Sequence, residues 1–166
     1  GEIVGVDRGV AVTLAYSTGE LLHAPKPSPI KAASRALARC KRGSNRRRKA
    51  KARLARIHVR NSDRRKDFIE KASTDLARRF DLIVLEDLRI QNMTRSARGT
   101  VESPGKNVTA KSGLNRSILA GGWGQFASRL EDKAPGRVEK INPAYTSQTC
   151  SRCLHVDRNS RESQAQ

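Results

Sequence analysis

The sequence predicts an α/β fold, a mixed sheet carrying a long basic helical insertion, on three observations. Two apolar runs, Ile3-Val4-Gly5-Val6-Asp7 and Leu82-Ile83-Val84-Leu85-Glu86, read as strands and each ends in a carboxylate. Between them the apolar residues recur at three- and four-residue steps over many turns, the period of a helix. Near the end, 136–141 alternates like a half-exposed strand before Asn142-Pro143 stops it.

In chain order, the opening run continues from Val10 to Tyr16 and the Ser17-Thr18-Gly19 turn, which predicts two antiparallel strands joined through Gly9 and a third beginning at Leu21. Pro25, Pro27 and Pro29 end the strands, and a helix is expected from near Ser28 to about Lys41. Gly43-Ser44-Asn45 breaks it, with Ser44 or Asn45 placed to cap a second, much longer helix. Leu54, Ile57, His58, Phe68, Ile69, Ala72, Leu76 and Phe80 would form its apolar face, with His58 a core histidine. The run 81–88 is a buried strand emerging at its carboxyl end. From 91 to 111 the chain is polar and lacks apolar periodicity, so a long binding loop is expected. Helical spacing resumes at 114–133, where Leu119, Trp123, Phe126, Ala127 and Leu130 share a face and Trp123 belongs to the core.

The chain has 166 residues, enough for one domain with a modest core built from Leu, Ile, Val and Ala, since aromatics are only 4%. A formal charge of +18 and a pI near 11.0 call for a polyanionic partner, by default nucleic acid. No signal-peptide pattern opens the chain and no run of about 18 apolar residues occurs, which argues against a membrane and for the cytoplasm or nucleoid. There is no initiator Met, and the sequence opens inside a strand, so a piece of a longer protein is expected.

The charge is concentrated. Arg42, Arg46, Arg47, Arg48, Lys49, Lys51, Arg53 and Arg56 crowd the start of the long helix, and no carboxylate occurs between Glu20 and Asp63. A solvated helix face normally mixes its signs, so this one favours phosphate-backbone contact that is salt-sensitive and blind to sequence. Arg95, Lys106 and Lys111 in the long loop extend the same surface.

Asp7 and Glu86 each follow an apolar strand, and in parallel sheets the carboxyl ends of strands are where sites collect, so the two could face each other and share a divalent metal. Taken singly, each has a plainer explanation: Asp7 as a turn residue before Gly9, Glu86 as a cap or surface carboxylate. Cys150 and Cys153 have the spacing of one knuckle of a tetrahedral zinc site, which needs two further ligands; His155 is too close and Cys40 too far along the chain. A redox pair would open a helix after a strand, which this polar context does not support.

The motifs Gly5-Val6-Asp7-Arg8-Gly9, Gly43-Ser44-Asn45-Arg46, Val84-Leu85-Glu86-Asp87-Leu88, Asn92-Met93-Thr94, Pro104-Gly105-Lys106-Asn107-Val108, Gly113-Leu114-Asn115-Arg116-Ser117-Ile118 and Trp123-Gly124 together resemble the TnpB (OrfB) family of insertion-sequence proteins. The block from Asn142 through Tyr145-Thr146-Ser147-Gln148-Thr149-Cys150-Ser151-Arg152-Cys153 is similar to the same family, which is related to the compact type V CRISPR nucleases. The resemblance implies an RNase H-like (RuvC-type) core over 1–143 with the basic helical insertion at about 28–80, and a zinc-ribbon tail at 144–166 of which only the first half is present. It implies a guide RNA, a target DNA, and phosphodiester hydrolysis by two Mg2+ ions. Asp7 and Glu86 match the first two of the family's three catalytic carboxylates, and Cys150 and Cys153 the first half of its four-cysteine zinc finger. The third Asp and second Cys pair of the family pattern would lie past Gln166, the amino-terminal recognition domains would precede Gly1, and Leu154 stands where a glycine is usual.

Three functions follow: an RNA-guided endonuclease core that is expected to lack activity on its own, a catalytically degenerate DNA- or RNA-binding protein, and a ribosome-associated or other basic RNA-binding protein. The paired carboxylates argue against the last, since plain RNA binding does not need them.

Overall fold

A computed structural model of the chain describes residues 1–143. Five strands form one mixed sheet: β1 (Ile3–Asp7), β2 (Leu14–Tyr16), β3 (Leu21–Leu22), β4 (Leu82–Glu86) and β5 (Val138–Ile141), in the order β3-β2-β1-β4-β5. The first three make an antiparallel meander, whereas β4 and β5 run parallel to β1. Helices α1 (Ile30–Ala38) and α2 (Asn45–Arg79) fill the crossover from β3 to β4, and α3 (Ile90–Met93), α4 (Val108–Gly121) and α5 (Trp123–Lys133) fill the next.

Strand parity decides which side of the sheet is covered. Val4 and Val6 of β1 and Ile83 and Leu85 of β4 are buried, and they share the core with Ile69, Ala72 and Leu76 of α2 and Phe126, Ala127 and Leu130 of α5. Leu130 is fully enclosed, so Leu130→Ala belongs to the class of core truncations costing about 2–5 kcal/mol. Trp123 is 5% exposed and packs as a core residue, as expected.

The long helix starts where the sequence indicates. Ser44 is extended (φ −74°, ψ 150°), and its Oγ accepts from the Arg47 amide at 3.2 Å, a cap worth about 1 kcal/mol. At its other end Arg137 donates to the carbonyls of Phe80 (2.8 Å) and Ala77 (3.1 Å), closing the last turn onto the β5 side of the sheet.

Several expectations need correction. The second strand begins at Leu14, not Val10, because the chain bends through 10–13 with the Val12 carbonyl folded back against Gly9, which leaves Val10 51% exposed. The polar segment from 91 to 111 is not wholly loop: it contains most of α3, and α4 has begun by Val108 after Asn107 in the left-handed region. The helical stretch at 114–133 is two helices, broken at Gly122 with φ +67°. A Cβ at Gly122 would also come within 2.8 Å of Ile69 Cδ1, so only glycine lets α5 settle on α2 there. The break shifts the helical phase, and Leu119 is 57% exposed instead of facing the core. His58 is exposed as well, whereas Leu54 and Ile57 on the same stretch of α2 are half-buried.

A charged latch fixes α5 to α2. Glu70 accepts from Arg129 Nε and from Lys133 Nζ, both at 2.6 Å, and Lys133 also donates to Thr74 Oγ1 at 2.8 Å. Hydrogen bonds from Arg129 and then Lys133 hold the Glu70 carboxyl at about 2, below the ordinary 4.5. A folded-state value below the unfolded one gives stability that is present in full above about pH 4.5 and lost as pH falls toward about 2. Glu70→Gln is therefore expected to flatten the acid limb of a pH-dependent thermal melt in that window and to leave the neutral limb parallel to the parent.

Candidate functional site

Register brings the two predicted carboxylates together. Val6 pairs with Leu85 across parallel β1 and β4, so the next residues, Asp7 and Glu86, stand side by side at the carboxyl ends of both strands. Neighbouring strands lie about 4.8 Å apart, which is within the span of two side chains sharing one ion. The burial alternation puts Val6 and Leu85 toward the helices, and hence Asp7 and Glu86 on the opposite, open face. There they line a shallow cavity of about 360 Å³ with Gly5, Ser17, Val84 and Ile141. Oxygen donors of this kind suit a hard divalent cation. Among the described residues, no third His, Cys, Asp or Glu joins them in a metal-sized cluster.

Beneath the pair lies a residue that the motif reading passed over. Arg8 is 5% exposed, and its guanidinium donates to the main-chain carbonyl of Glu86 and, at 3.3 Å, to that of Trp123. It thus ties the end of β4 to the first residue of α5 and fixes the backbone that carries Glu86. Burial pulls the Arg8 pKa down from its ordinary value, and the carboxylates of Glu86, Asp7 and Asp87 push the other way. Continuing the alternation of β1 past Asp7 would turn Arg8 inward, but nothing local shows the two carbonyls that accept from it there.

The predicted basic residues divide into two groups. Arg42, Arg46, Arg48, Lys49, Lys51, Arg53, Arg56, Arg95 and Lys106 are all exposed. Arg47 is half-buried instead, donating to the carbonyls of Leu37 (3.2 Å) and Cys40 (3.3 Å) and so capping α1. Lys111 is also engaged, its Nζ donating to the Met93 carbonyl at 2.6 Å. The α1–α2 hairpin itself is held by half-buried Ala33 and Leu37 on one helix and Ala50, Leu54 and Ile57 on the other, at three- and four-residue steps. This leaves the cations on its outer faces. Cys150 and Cys153 lie outside the described residues, as does the whole tail at 144–166.

Sheet order, two carboxylates at parallel carboxyl ends and a helical hairpin whose start carries only basic charge define an α/β protein with a mixed five-stranded sheet, and sequence comparison then narrows the class. Residues 1–97 match the OrfB_IS605 family, described as "Probable transposase", and residues 123–165 match the Cas12f1-like TNB domain. The first match covers more than half of the chain: it is a member of the OrfB_IS605 transposase family, the TnpB-like proteins to which its motifs pointed. It is 40% identical over 171 residues to "Putative RNA-guided DNA endonuclease InsQ" of Escherichia coli K12, covering 98% of this chain and 42% of that protein. A protein of Streptomyces pristinaespiralis with the same description is 33% identical over 78% of the chain and 30% of its own length. A third, from Mycobacterium tuberculosis, is 31% identical over 92% of the chain and 34% of its own length. The chain thus spans less than half of each of these relatives.

Proposed function

We propose that the chain is the nucleic-acid-binding nuclease core of an RNA-guided DNA endonuclease encoded by an insertion sequence, with guide RNA and target DNA as its partners. The observation that carries this reading is the placement of Asp7 and Glu86 side by side on one face at the carboxyl ends of parallel β1 and β4. The antiparallel β1-β2-β3 meander flanked by parallel β4 and β5 is the arrangement we assign to the RNase H-like, RuvC-type fold. Asp7 and Glu86 are the residues that would hold Mg2+, and the ion would supply Lewis-acid stabilisation for in-line displacement at a phosphodiester. Arg8 keeps the Glu86 backbone in register with Asp7 while contacting no substrate itself.

The basic hairpin supports the binding half. Arg46 and Arg48 occupy the first turn of α2, with Lys49 directly after it, where the helix dipole is positive and no acidic residue of that turn offsets them. That arrangement costs stability in the free protein and is relieved when a polyanion neutralises it. The relatives' names, which specify RNA-guided DNA endonucleases, agree in kind.

Cys150 and Cys153 are proposed as half of a structural Zn2+ shell, which two thiolates alone hold loosely. Among the described residues the Mg2+ site likewise has two carboxylates and no third, which favours a chain that binds without cutting. Incubated with radiolabelled DNA or RNA and Mg2+, the 166-residue chain should retain either at low salt and leave both intact. Cleavage abolished by Asp7→Ala would show that another carboxylate completes the site. No retention of either polymer at low salt would overturn the reading altogether.

A further inference from the structure

We infer that the chain has a second nucleic-acid subsite, separate from the carboxylate pair, in which one unpaired nucleotide of a bound single strand is seated between the β1–β2 turn, the segment at 23–27, α2 and α4. The observation is a cavity of about 600 Å³ lined by three cations, Lys26, Arg64 and Arg65, together with His23, and with no carboxylate in its wall. That volume lies within the range of small-ligand sites, and a nucleotide fills such a space with its phosphate at one edge. Gly9, Ala11, Ala24, Ala120 and Gly121 are among the other lining residues, and their small size leaves the backbone approachable.

The wall is preorganised. Thr13 Oγ1 accepts from the Ala24 amide at 2.8 Å, and the Asn61 side chain brackets Ser28, accepting from its amide at 2.9 Å and donating to its carbonyl at 3.4 Å. These bonds pin the segment at 23–27 to the meander at one end and to α2 at the other. A cavity held open in this way does not charge the ligand for ordering its walls. Arg64 and Arg65 can meet phosphate oxygens with paired donors, whereas the small lining residues accept a base or sugar without reading its edge. Single-stranded nucleic acid fits this chemistry, because an unpaired nucleotide leaves its stack to enter at less cost than a paired one.

The inference rests on the nucleic-acid binding proposed above, and one experiment separates the two. The probe is a single-stranded RNA oligonucleotide carrying 4-thiouridine, crosslinked to the whole chain and mapped by peptide mass spectrometry, with a duplex of equal length as the comparison. Two variant sets are used: Arg64→Gln with Arg65→Gln removes charge, and Ala11→Leu with Ala120→Leu fills the space from two exposed positions. Crosslinks are expected at 9–11, 23–27 or 117–121, and the filling pair should abolish them. Both sets should weaken single-strand binding by about tenfold and duplex binding by less than about threefold. Crosslinks confined to 42–56, with single-strand affinity unchanged in both sets, would overturn the subsite and leave the basic-hairpin reading standing. Failure of the parent chain to retain any oligonucleotide at low salt would overturn both.

Discussion

Reversing Arg46, Arg48, Lys49, Arg53 and Arg56 to Glu is expected to flatten the dependence of DNA affinity on salt by at least about 4 units in the log–log slope. Each cation that neutralises a phosphate releases condensed counterions and adds about 0.9 to the slope on duplex DNA, so five removed contacts account for that change. All five side chains are exposed on the α1–α2 hairpin and none is part of the core, so the variant keeps its fold. Arg47 is left in place because it closes α1 through the Leu37 and Cys40 carbonyls, and its loss would confuse unfolding with lost binding. Binding titrations between 50 and 200 mM salt, about the range over which such proteins lose several decades of affinity, make the measurement. An unchanged slope would reduce the hairpin to a solvated face.

Asp7→Ala or Glu86→Ala in a guide-loaded endonuclease that contains this core is expected to abolish Mg2+-dependent cleavage while leaving guide and target binding within about twofold, because the two side chains project on the open face away from the hairpin. The loss should reach the roughly 10³-fold range typical when an electrostatic stabiliser of the reacting phosphate is removed. Glu86→Gln should fall nearly as far, since the amide preserves shape and loses the charge. Cleavage kinetics on a labelled target, paired with filter binding on the same preparation, separate the two effects. A protein of this class that binds guide and target yet never cuts, with both carboxylates intact, would favour the degenerate binder.

The meeting of Asp7 and Glu86 at one end of the sheet was legible because two local signals agreed: each of the two apolar runs closes on a carboxylate, and hydrogen-bonded register then makes the two neighbours. The long helix and its Ser44 cap were legible for a similar reason, since capping and apolar period are both local. What escaped depends on tertiary partners. Arg8 is charged and follows a surface carboxylate, yet it is buried because two main-chain carbonyls, from β4 and α5, converge on it. His58 sits on the correct helical phase and is nevertheless exposed, since phase alone does not say whether another element covers that turn. Arg47 and Lys111 carry the charge of nucleic-acid contacts and spend it on backbone carbonyls that no sequence window of a few residues reveals. The left-handed Gly122 looks like any helical glycine until Ile69 occupies the space where a Cβ would go.

Mn2+ titration of the isotopically labelled chain, followed by paramagnetic broadening of backbone amide signals, tests the carboxylate pair most directly. The two-carboxylate site should bind weakly, and the amides around Asp7 and around Glu86 should broaden together and first, because register places both beside one ion. Asp7→Asn or Glu86→Gln alone should remove that shared response. Broadening that begins instead at the exposed Asp63 or Asp67 of α2, or that survives both substitutions at 7 and 86, would contradict the assignment of this end of the sheet as a metal centre.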